Sequence, residues 1–355
     1  MKMPTLRPFQ GKEAPGILPI RSGKIPMHDV LICGGAGYIG SHMAQYLSEQ
    51  GHRVTVFDNL STGHRGAVAW GELVEGDLLD AAALQRLFAG RRFDAVMHFA
   101  ARSLVGESVR DPYAYYTNNV TGTVNLLQAM RSHDVERIVF SSTAAIFGEP
   151  CSALIDEDHP KQPINPYGAS KLMAERILAD AAAAYGLRSV CLRYFNAAGA
   201  LPQHGIGEAH ACETHLIPNV LRSALGQGGR LKVFGSDYET PDGTCVRDYV
   251  HVQDLAQAHA LAMDYMDAQP GAHAFNLGNG QGFSVLDVIK TAEAVSGLRV
   301  PYDAAERRAG DPARLVASSE RARRVLGWQP VWTELAPIID SAWRWHNAPA
   351  AWGKV

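Results

Sequence analysis

Tyr167-Gly168-Ala169-Ser170-Lys171 sets a phenol and an amine four residues apart, so on a helix both side chains leave one face. An ammonium near a phenol favours the phenolate and draws its pKa toward working pH, which suits the tyrosine to exchange a proton with an alcohol. Chance produces this spacing in many helices, and its surroundings give it meaning. The pair follows Arg137 to Thr143, a β-branched stretch that ends in the hydroxyl residues Ser141, Ser142 and Thr143.

A second pattern lies upstream. Gly34-Gly35-Ala36-Gly37-Tyr38-Ile39-Gly40 places Gly-x-x-Gly-x-x-Gly directly after the apolar run Val30 to Cys33 and before a helix-compatible stretch, Ser41 to Gln50. Glycines there permit a tight turn and close backbone approach to a pyrophosphate, and a helix N-terminus offers unpaired N–H groups to the anion. Asp58 ends the next β-branched run about 20 residues on, where a carboxylate accepts from ribose hydroxyls. Its charge repels a 2′-phosphate, which favours NAD over NADP. Asp77, after the third run, is placed to accept from the adenine amino group.

The elements that must position these groups alternate. Strand candidates at 30–33, 53–58, 72–77, 95–99, 137–142 and 189–194 are separated by helical patterns at 81–88, 113–131 and 167–185. That order predicts an α/β fold, a Rossmann-like doubly wound parallel sheet. After Asn196 the pattern breaks into Gly- and Pro-containing loops with shorter helices near 217–225, 252–265, 284–294 and 335–345. The expected organisation is a flexible N-terminal extension (1–26), an NAD-binding domain (27–196) and a smaller mixed α/β lobe (197–355) that binds substrate, with the chain free to return to the first domain.

Composition bounds the rest. The 355 residues are 46% apolar and 19% charged with a formal net charge of −3, which suits a globular chain and supplies no general attraction to nucleic acid or anionic lipid. No segment of the first 26 residues has the apolar core of a signal peptide or membrane span. Five widely spaced cysteines without Cys-x-x-Cys argue against a disulfide framework and for reduced thiols in the cytoplasm. His42 and His98 lack a second histidine at ligand spacing, so no metal is expected.

Taken together, Gly34 to Gly40, Asp58-Asn59, Gly76-Asp77-Leu78, His98-Phe99-Ala100-Ala101, Ser141-Ser142-Thr143, Tyr167 to Lys171 and Arg193-Tyr194-Phe195-Asn196 resemble the extended short-chain dehydrogenases. More narrowly, Val105-Gly106-Glu107-Ser108, the Tyr115 to Thr123 stretch with Asn118-Asn119, and Val246 to Leu255 resemble the UDP-glucose (UDP-galactose) 4-epimerases. The similarity runs from about Asp29 to Trp345.

The resemblance implies a tightly held NAD that is reduced and reoxidised within one turnover, while a 4-keto sugar turns over between two hydride transfers. Tyr167 is then the proton-transferring residue, Lys171 its electrostatic partner, and Thr143 the hydroxyl that binds the reacting oxygen. Cofactor contacts carry over to Gly34, Gly37, Tyr38, Ile39, Gly40, Asp58, Asn59, Asp77, Leu78, Phe99, Ala100, Ala101, Arg102, Asn118, Ser141 and Tyr194. Arg247 and Arg308 become the diphosphate anchor, since a guanidinium pairs bidentately with phosphate oxygens. Phe195, Asn196, His215, Leu216, Phe234, Tyr249, Asp311 and Leu315 complete the expected UDP-sugar site, with uracil packing on Phe234. A homodimer paired through helices is expected as well.

Three positions depart from the family pattern. Arg102 stands where some members carry Lys, Thr143 replaces Ser and keeps the hydroxyl, and Leu315 stands where some members have a large Tyr. By the resemblance, the last implies a roomier space at the sugar 2-position that is expected to admit N-acetylated sugars. Epimerases of UDP-pentoses or UDP-glucuronate share these motifs. A 4,6-dehydratase carries Asp-Glu after the strand-end Thr, whereas this chain has Ala144-Ala145, which cannot eliminate water. A non-catalytic NAD-binding regulator would have shed the Tyr, Lys or hydroxyl that this chain keeps.

Overall fold

The computed structural model describes residues 27–308 and 311–354; the expected N-terminal extension, 1–26, lies outside them. The apolar, β-branched runs form a seven-stranded sheet. Its strands are β1 (Asp29–Cys33), β2 (Arg53–Asp58), β3 (Glu72–Glu75), β4 (Ala95–His98), β5 (Arg137–Thr143), β6 (Arg188–Tyr194) and β7 (Ala272–Leu277). Their order is β7-β6-β5-β4-β1-β2-β3, parallel throughout. The order reverses between β1 and β4, and in such sheets the crevice beyond the strand C-termini at that point is where ligands bind.

Burial on both faces explains the apolar strands. One face packs α1 (Tyr38–Glu49) and, from later in the chain, α6 (Val252–Ala268), through Met43, Leu47, Leu255 and Met263. The other packs α2 (Ala81–Ala89), α3 (Gly122–Ser132) and α4 (Pro166–Tyr185), through Leu84, Leu126 and Leu178. A third core joins α5 (Leu216–Ala224), α7 (Val285–Ser296) and α8 (Leu335–Asn347) to short ladders through Ile217, Val288 and Ile338. In those ladders 231–234 pairs in parallel with 302–305, and 246–247 lies between 283–284 and 314–315.

Two features differ from the sequence expectation. The seventh strand was not anticipated, because Ala-His-Ala-Phe-Asn-Leu carries no β-branched residue and so lacks the usual strand signature. Its pairing with β6 from Ala272↔Ser189 to Leu277↔Tyr194 returns the chain to the main sheet. The helical stretch expected over 113–131 is interrupted by a π-helical turn at Tyr116–Thr121. π-Turns inside helices often mark functional positions.

Candidate active site

The turn after β1 is built so that backbone can come close. Gly34 has φ +81°, and a Cβ there would lie 2.5 Å from the Ala100 nitrogen; one on Gly40 would lie 2.2 Å from the Gly34 carbonyl oxygen. Gly37 is the N-cap of α1 and no side chain caps that terminus, so the first-turn amides of Tyr38, Ile39 and Gly40 keep their capacity to bind an anion. The Asp58 carboxylate accepts from Ala36 N–H at 2.9 Å and Leu60 N–H at 2.8 Å, tying the end of β2 to the glycine turn. Asp77 accepts from Asn59 Nδ2 at 2.8 Å and from Leu79 N–H at 2.8 Å, and buried Leu78 packs under Gly122 of α3. Phe99 and Ala100 both donate their N–H to the Cys33 carbonyl, which brings the Phe99 to Ala101 backbone beside Gly34. This surface, closed to a Cβ at Gly34 and Gly40 and edged by two acids, fits an NAD pyrophosphate and adenosine.

Tyr167 stands at the start of α4, where Asn165 accepts from Gly168 N–H at 2.9 Å and Pro166 opens the helix. Burial raises the phenol pKa, and a hydrogen bond with Thr143 lowers it, the sign expected when the hydroxyl donates to phenolate. Lys171, one turn on, is buried and donates from Nζ to the Ser141 carbonyl at 2.8 Å, with its ammonium 4.6 Å from the Phe140 ring. Burial brings its pKa down to about 7, against the pull of Cys191 and Glu175. Tyr194 donates to Ser141 Oγ, so β5 and β6 are cross-linked under the crevice.

Two members of the Asn118-Asn119 pair behave differently. Asn118 donates to Asn119 Oδ1 at 2.9 Å, and buried Asn119 does the positioning. Its Oδ1 accepts from Arg102 N–H at 2.9 Å, and its Nδ2 reaches the Arg102 carbonyl at 3.0 Å and Ser170 Oγ at 2.9 Å. The π-turn thus fastens the Arg102 loop to the Tyr167–Lys171 helix. The Arg102 guanidinium itself turns to Glu107 at 3.2 Å. Sequence reasoning named Asn118 and missed Asn119, although both fall in one motif.

On the facing side, Arg247 donates from Nη1 to the Val246 and Pro312 carbonyls, each at 2.9 Å, and from Nη2 to Asp311 Oδ1 at 2.7 Å. These use three of its five donors. Leu315 pairs with Arg247 across a parallel ladder and packs with Phe195 against Ala144, Ile146 and Phe147. Leu315 therefore borders the Thr143 strand end. Asn196 Nδ2 donates to the Asp248 carbonyl at 2.8 Å. The Arg308 guanidinium lies 4.0 Å over the Phe234 ring and covers one of its faces. His215 and Leu216 begin α5, while Tyr249 is buried in the third core.

Asp248, which the sequence reading did not single out, is a hub. Its carboxylate accepts from Asn279, Gly280 and Ala317 N–H, and burial still pushes its pKa up to about 6. His98 meets Thr123 Oγ1 at 3.0 Å, and burial lowers its pKa to about 3.

A Rossmann-like sheet with a glycine cradle, a strand-end hydroxyl and a Tyr/Lys helix defines a class: dinucleotide-dependent enzymes that act on an alcohol carbon. Within it, the model of the NAD dependent epimerase/dehydratase family matches residues 30–278, and the chain belongs to that family. It is 52% identical over 90% of its length to a UDP-glucose 4-epimerase of Halalkalibacterium halodurans, covering 95% of that protein. It is 49% identical to the Lacticaseibacillus casei UDP-glucose 4-epimerase, covering 91% of this chain and 98% of the relative. Among solved structures, the Brucella ovis UDP-glucose 4-epimerase in complex with NAD is 49% identical with a TM-score of 0.87, covering 89% of this chain and 97% of that one. The UDP-Glc/GlcNAc 4-epimerase of Campylobacter jejuni is 41% identical with a TM-score of 0.80, covering 90% and 99%. No described helix is long and apolar enough to cross a membrane.

Proposed function

We propose that the protein interconverts UDP-glucose and UDP-galactose by inverting the configuration at C4 of the sugar. Bound NAD supplies the two-electron acceptor that takes and returns the C4 hydride. Tyr167 accepts the proton of the 4-hydroxyl and later gives it back, and Thr143 holds the shared oxygen. Burial alone leaves the phenol a poor base, so the positive charges that favour phenolate carry weight: Lys171 one turn along the helix, and the oxidised nicotinamide. Arg247 and Arg308 grip the diphosphate. Because they hold phosphate and not the hexose, the sugar is free to turn its other face. Ser141 holds Lys171, whose ammonium would also bind the cofactor ribose when NAD is present; Phe195, Asn196 and Leu216 would line the sugar and nucleotide.

The observation that carries this reading is Tyr167 one helical turn from Lys171, whose Nζ donates to the Ser141 carbonyl at 2.8 Å beneath the Thr143 strand end, with Ala144 and Ala145 following in place of an eliminating acid–base pair. The test is a coupled assay of UDP-galactose conversion with Tyr167→Phe beside the wild type. General acid–base transfer is worth about 10² to 10⁴ in rate, so the variant should lose that much kcat while retaining bound NAD. Undiminished turnover in Tyr167→Phe would overturn the assignment.

N-acetylated UDP-hexoses are a second substrate class. Leu315, packed with Phe195, presents a short aliphatic wall near the Thr143 strand end. The Campylobacter jejuni relative is named for acting on both kinds of sugar. The working form is a homodimer, formed through the exposed apolar side chains Val105, Val109 and Tyr113 with Met173 of α4 beside them.

A further inference from the structure

Between the main sheet and α5 the chain runs Glu208-Ala-His210-Ala-Cys-Glu213-Thr-His215. Each of the four side chains Glu208, His210, Glu213 and His215 offers one donor atom, and all four donors lie within 4.8 Å of one another. His210 Nδ1 is 3.2 Å from Glu208 Oε1 and 3.4 Å from Glu213 Oε2. His215 Nδ1 is 2.7 Å from Glu208 Oε1 and 3.0 Å from Glu213 Oε1. A tetrahedron of nitrogen and oxygen ligands at zinc bond lengths of about 2.0–2.2 Å has edges of roughly 3.3–3.6 Å, so an ion would spread these contacts, 2.7–3.4 Å to one or other Glu213 oxygen and to Glu208, outward by a few tenths of an ångström.

Two observations speak against a plain salt-bridge cluster. Glu208 is 5% exposed, and its Oε1 has no hydrogen-bond partner although two imidazole nitrogens stand within contact distance. The hydrogen bonds of the two rings go to the other acid, from His210 Nδ1 to Glu213 Oε2 at 3.4 Å and from His215 Nδ1 to Glu213 Oε1 at 3.0 Å. The other acid is prepared from behind: Thr214 and His215 N–H each donate to Glu213 Oε1 at 2.8 Å, an outer-shell arrangement that orients a ligating carboxylate. Two buried carboxylates facing each other also repel, and a dication relieves that.

We propose that Glu208, His210, Glu213 and His215 bind one divalent transition-metal ion of the zinc class. Two imidazoles and two carboxylates are a donor set that such ions accept in tetrahedral geometry. The ion closes a structural clamp. Its ligand segment touches the cofactor turn through Tyr38, whose ring lies 6.5 Å from His210, and the loop after β2 through His64, bonded to the Ala209 carbonyl at 2.6 Å. It also meets α8 through Trp345 Nε1, which donates to the Glu208 carbonyl at 2.8 Å, and it ends at His215, the N-cap of α5. Metal binding therefore fixes the entry to the substrate lobe against the cofactor turn.

The test uses the untagged full-length chain carrying its NAD, exposed to ZnCl2, dialysed into metal-free buffer and analysed for metal by mass spectrometry. The expected result is about one zinc per chain, and visible d–d absorption typical of tetrahedral cobalt when CoCl2 replaces zinc. His210→Ala and Glu213→Gln should each lower retained metal by about tenfold or more, with NAD content showing that the fold persists. Should a variant lose NAD, the wild type decides: removing metal with a chelator lowers its Tm and ZnCl2 restores it. Less than about a tenth of an equivalent of zinc in the wild type, no Tm response, or full zinc in His210→Ala would overturn the proposal. Activity is not the readout, so the outcome is independent of the epimerase reading.

Discussion

Single side chains set both the chemistry and its limits. Leu315 packs, like Phe195, against Ala144, Ile146 and Phe147 after the Thr143 strand end, so in the proposed site enlarging it narrows the space left for the sugar. Leu315→Tyr should leave UDP-galactose turnover within about an order of magnitude and depress UDP-N-acetylgalactosamine turnover much further, because one bulky group in a fitted pocket is worth about 1–3 kcal/mol. Equal discrimination in the two proteins would remove Leu315 from specificity. His98 makes a different kind of prediction. Its ring is buried and its folded pKa of about 3 lies below the ordinary value of 6.5, so it stays neutral in the native state. The unfolded chain binds that proton as pH falls through 6.5. The stability His98 contributes is therefore full above pH 6.5 and lost progressively toward pH 3. His98→Gln removes one such proton from the balance. Between pH 7.5 and 5.5 the variant should lose about 1.4 kcal/mol less stability than the wild type in urea titrations. Parallel pH curves would refute the assignment.

At the scale of elements, α4 carries the site because of what lies along one face. Tyr167, Lys171 and Glu175 follow at four-residue steps, the first two toward the crevice and the third into a buried pair with Arg193 of β6. Glu175 accepts from Arg193 Nε at 2.9 Å and Nη2 at 2.6 Å, and from Ser142 Oγ at 2.5 Å. The acid thereby pins the helix to two strands. Glu175→Ala takes away the carboxylate that Arg193 grips and leaves its buried guanidinium with the Glu157 carbonyl at 3.4 Å, so we expect a loss of about 3–5 kcal/mol in denaturant unfolding. Gly168 acts at the other end. A Cβ there would lie 2.3 Å from the Ala145 carbonyl oxygen, so Gly168→Ala must push α4 away from the Thr143 loop. Its kcat should fall while Gly106→Ala, where a Cβ meets nothing within 4 Å, changes little.

The same elements show what a sequence makes legible. The six strands with apolar, β-branched runs and the glycine turn could be read directly, because burial on both faces and close backbone approach each demand particular residue types. The Tyr167–Lys171 spacing was equally visible. What stayed hidden was long-range and polar. The strand Ala272–Leu277 is specified by its neighbours rather than by propensity, and the two-residue ladders around Arg247 are too short to carry a period. Asn119 and Asp248 act through backbone groups far along the chain, which no local pattern announces. The Glu208–His215 cluster depends on a loop geometry that spacing alone does not dictate.

For the whole molecule, the question is what covers the apolar side chains left outside its three cores. Val109 is 63% exposed and Tyr113 80%, on the segment 105–115, whose first helix packs against α4, where Met173 is 47% exposed. Their neighbour Tyr115 shows the contrast: it is fully buried, and its single hydroxyl proton lies between two acceptors, the Leu104 carbonyl at 2.6 Å and Glu107 at 2.8 Å. A helix that buries one aromatic and presents another to solvent has a second apolar face to satisfy. Two copies related by a twofold axis bring the same patch together from both sides, which is the commonest way such a face is closed. Placing charge there should prevent the proposed association without touching Tyr167 or the glycine turn. The double variant Val109→Glu, Tyr113→Glu should sediment at 38.4 kDa, and the wild type at twice that mass. A wild type that sediments as a monomer at micromolar concentration would show that these side chains face solvent in the working enzyme. A variant that remains dimeric would move the interface to another surface.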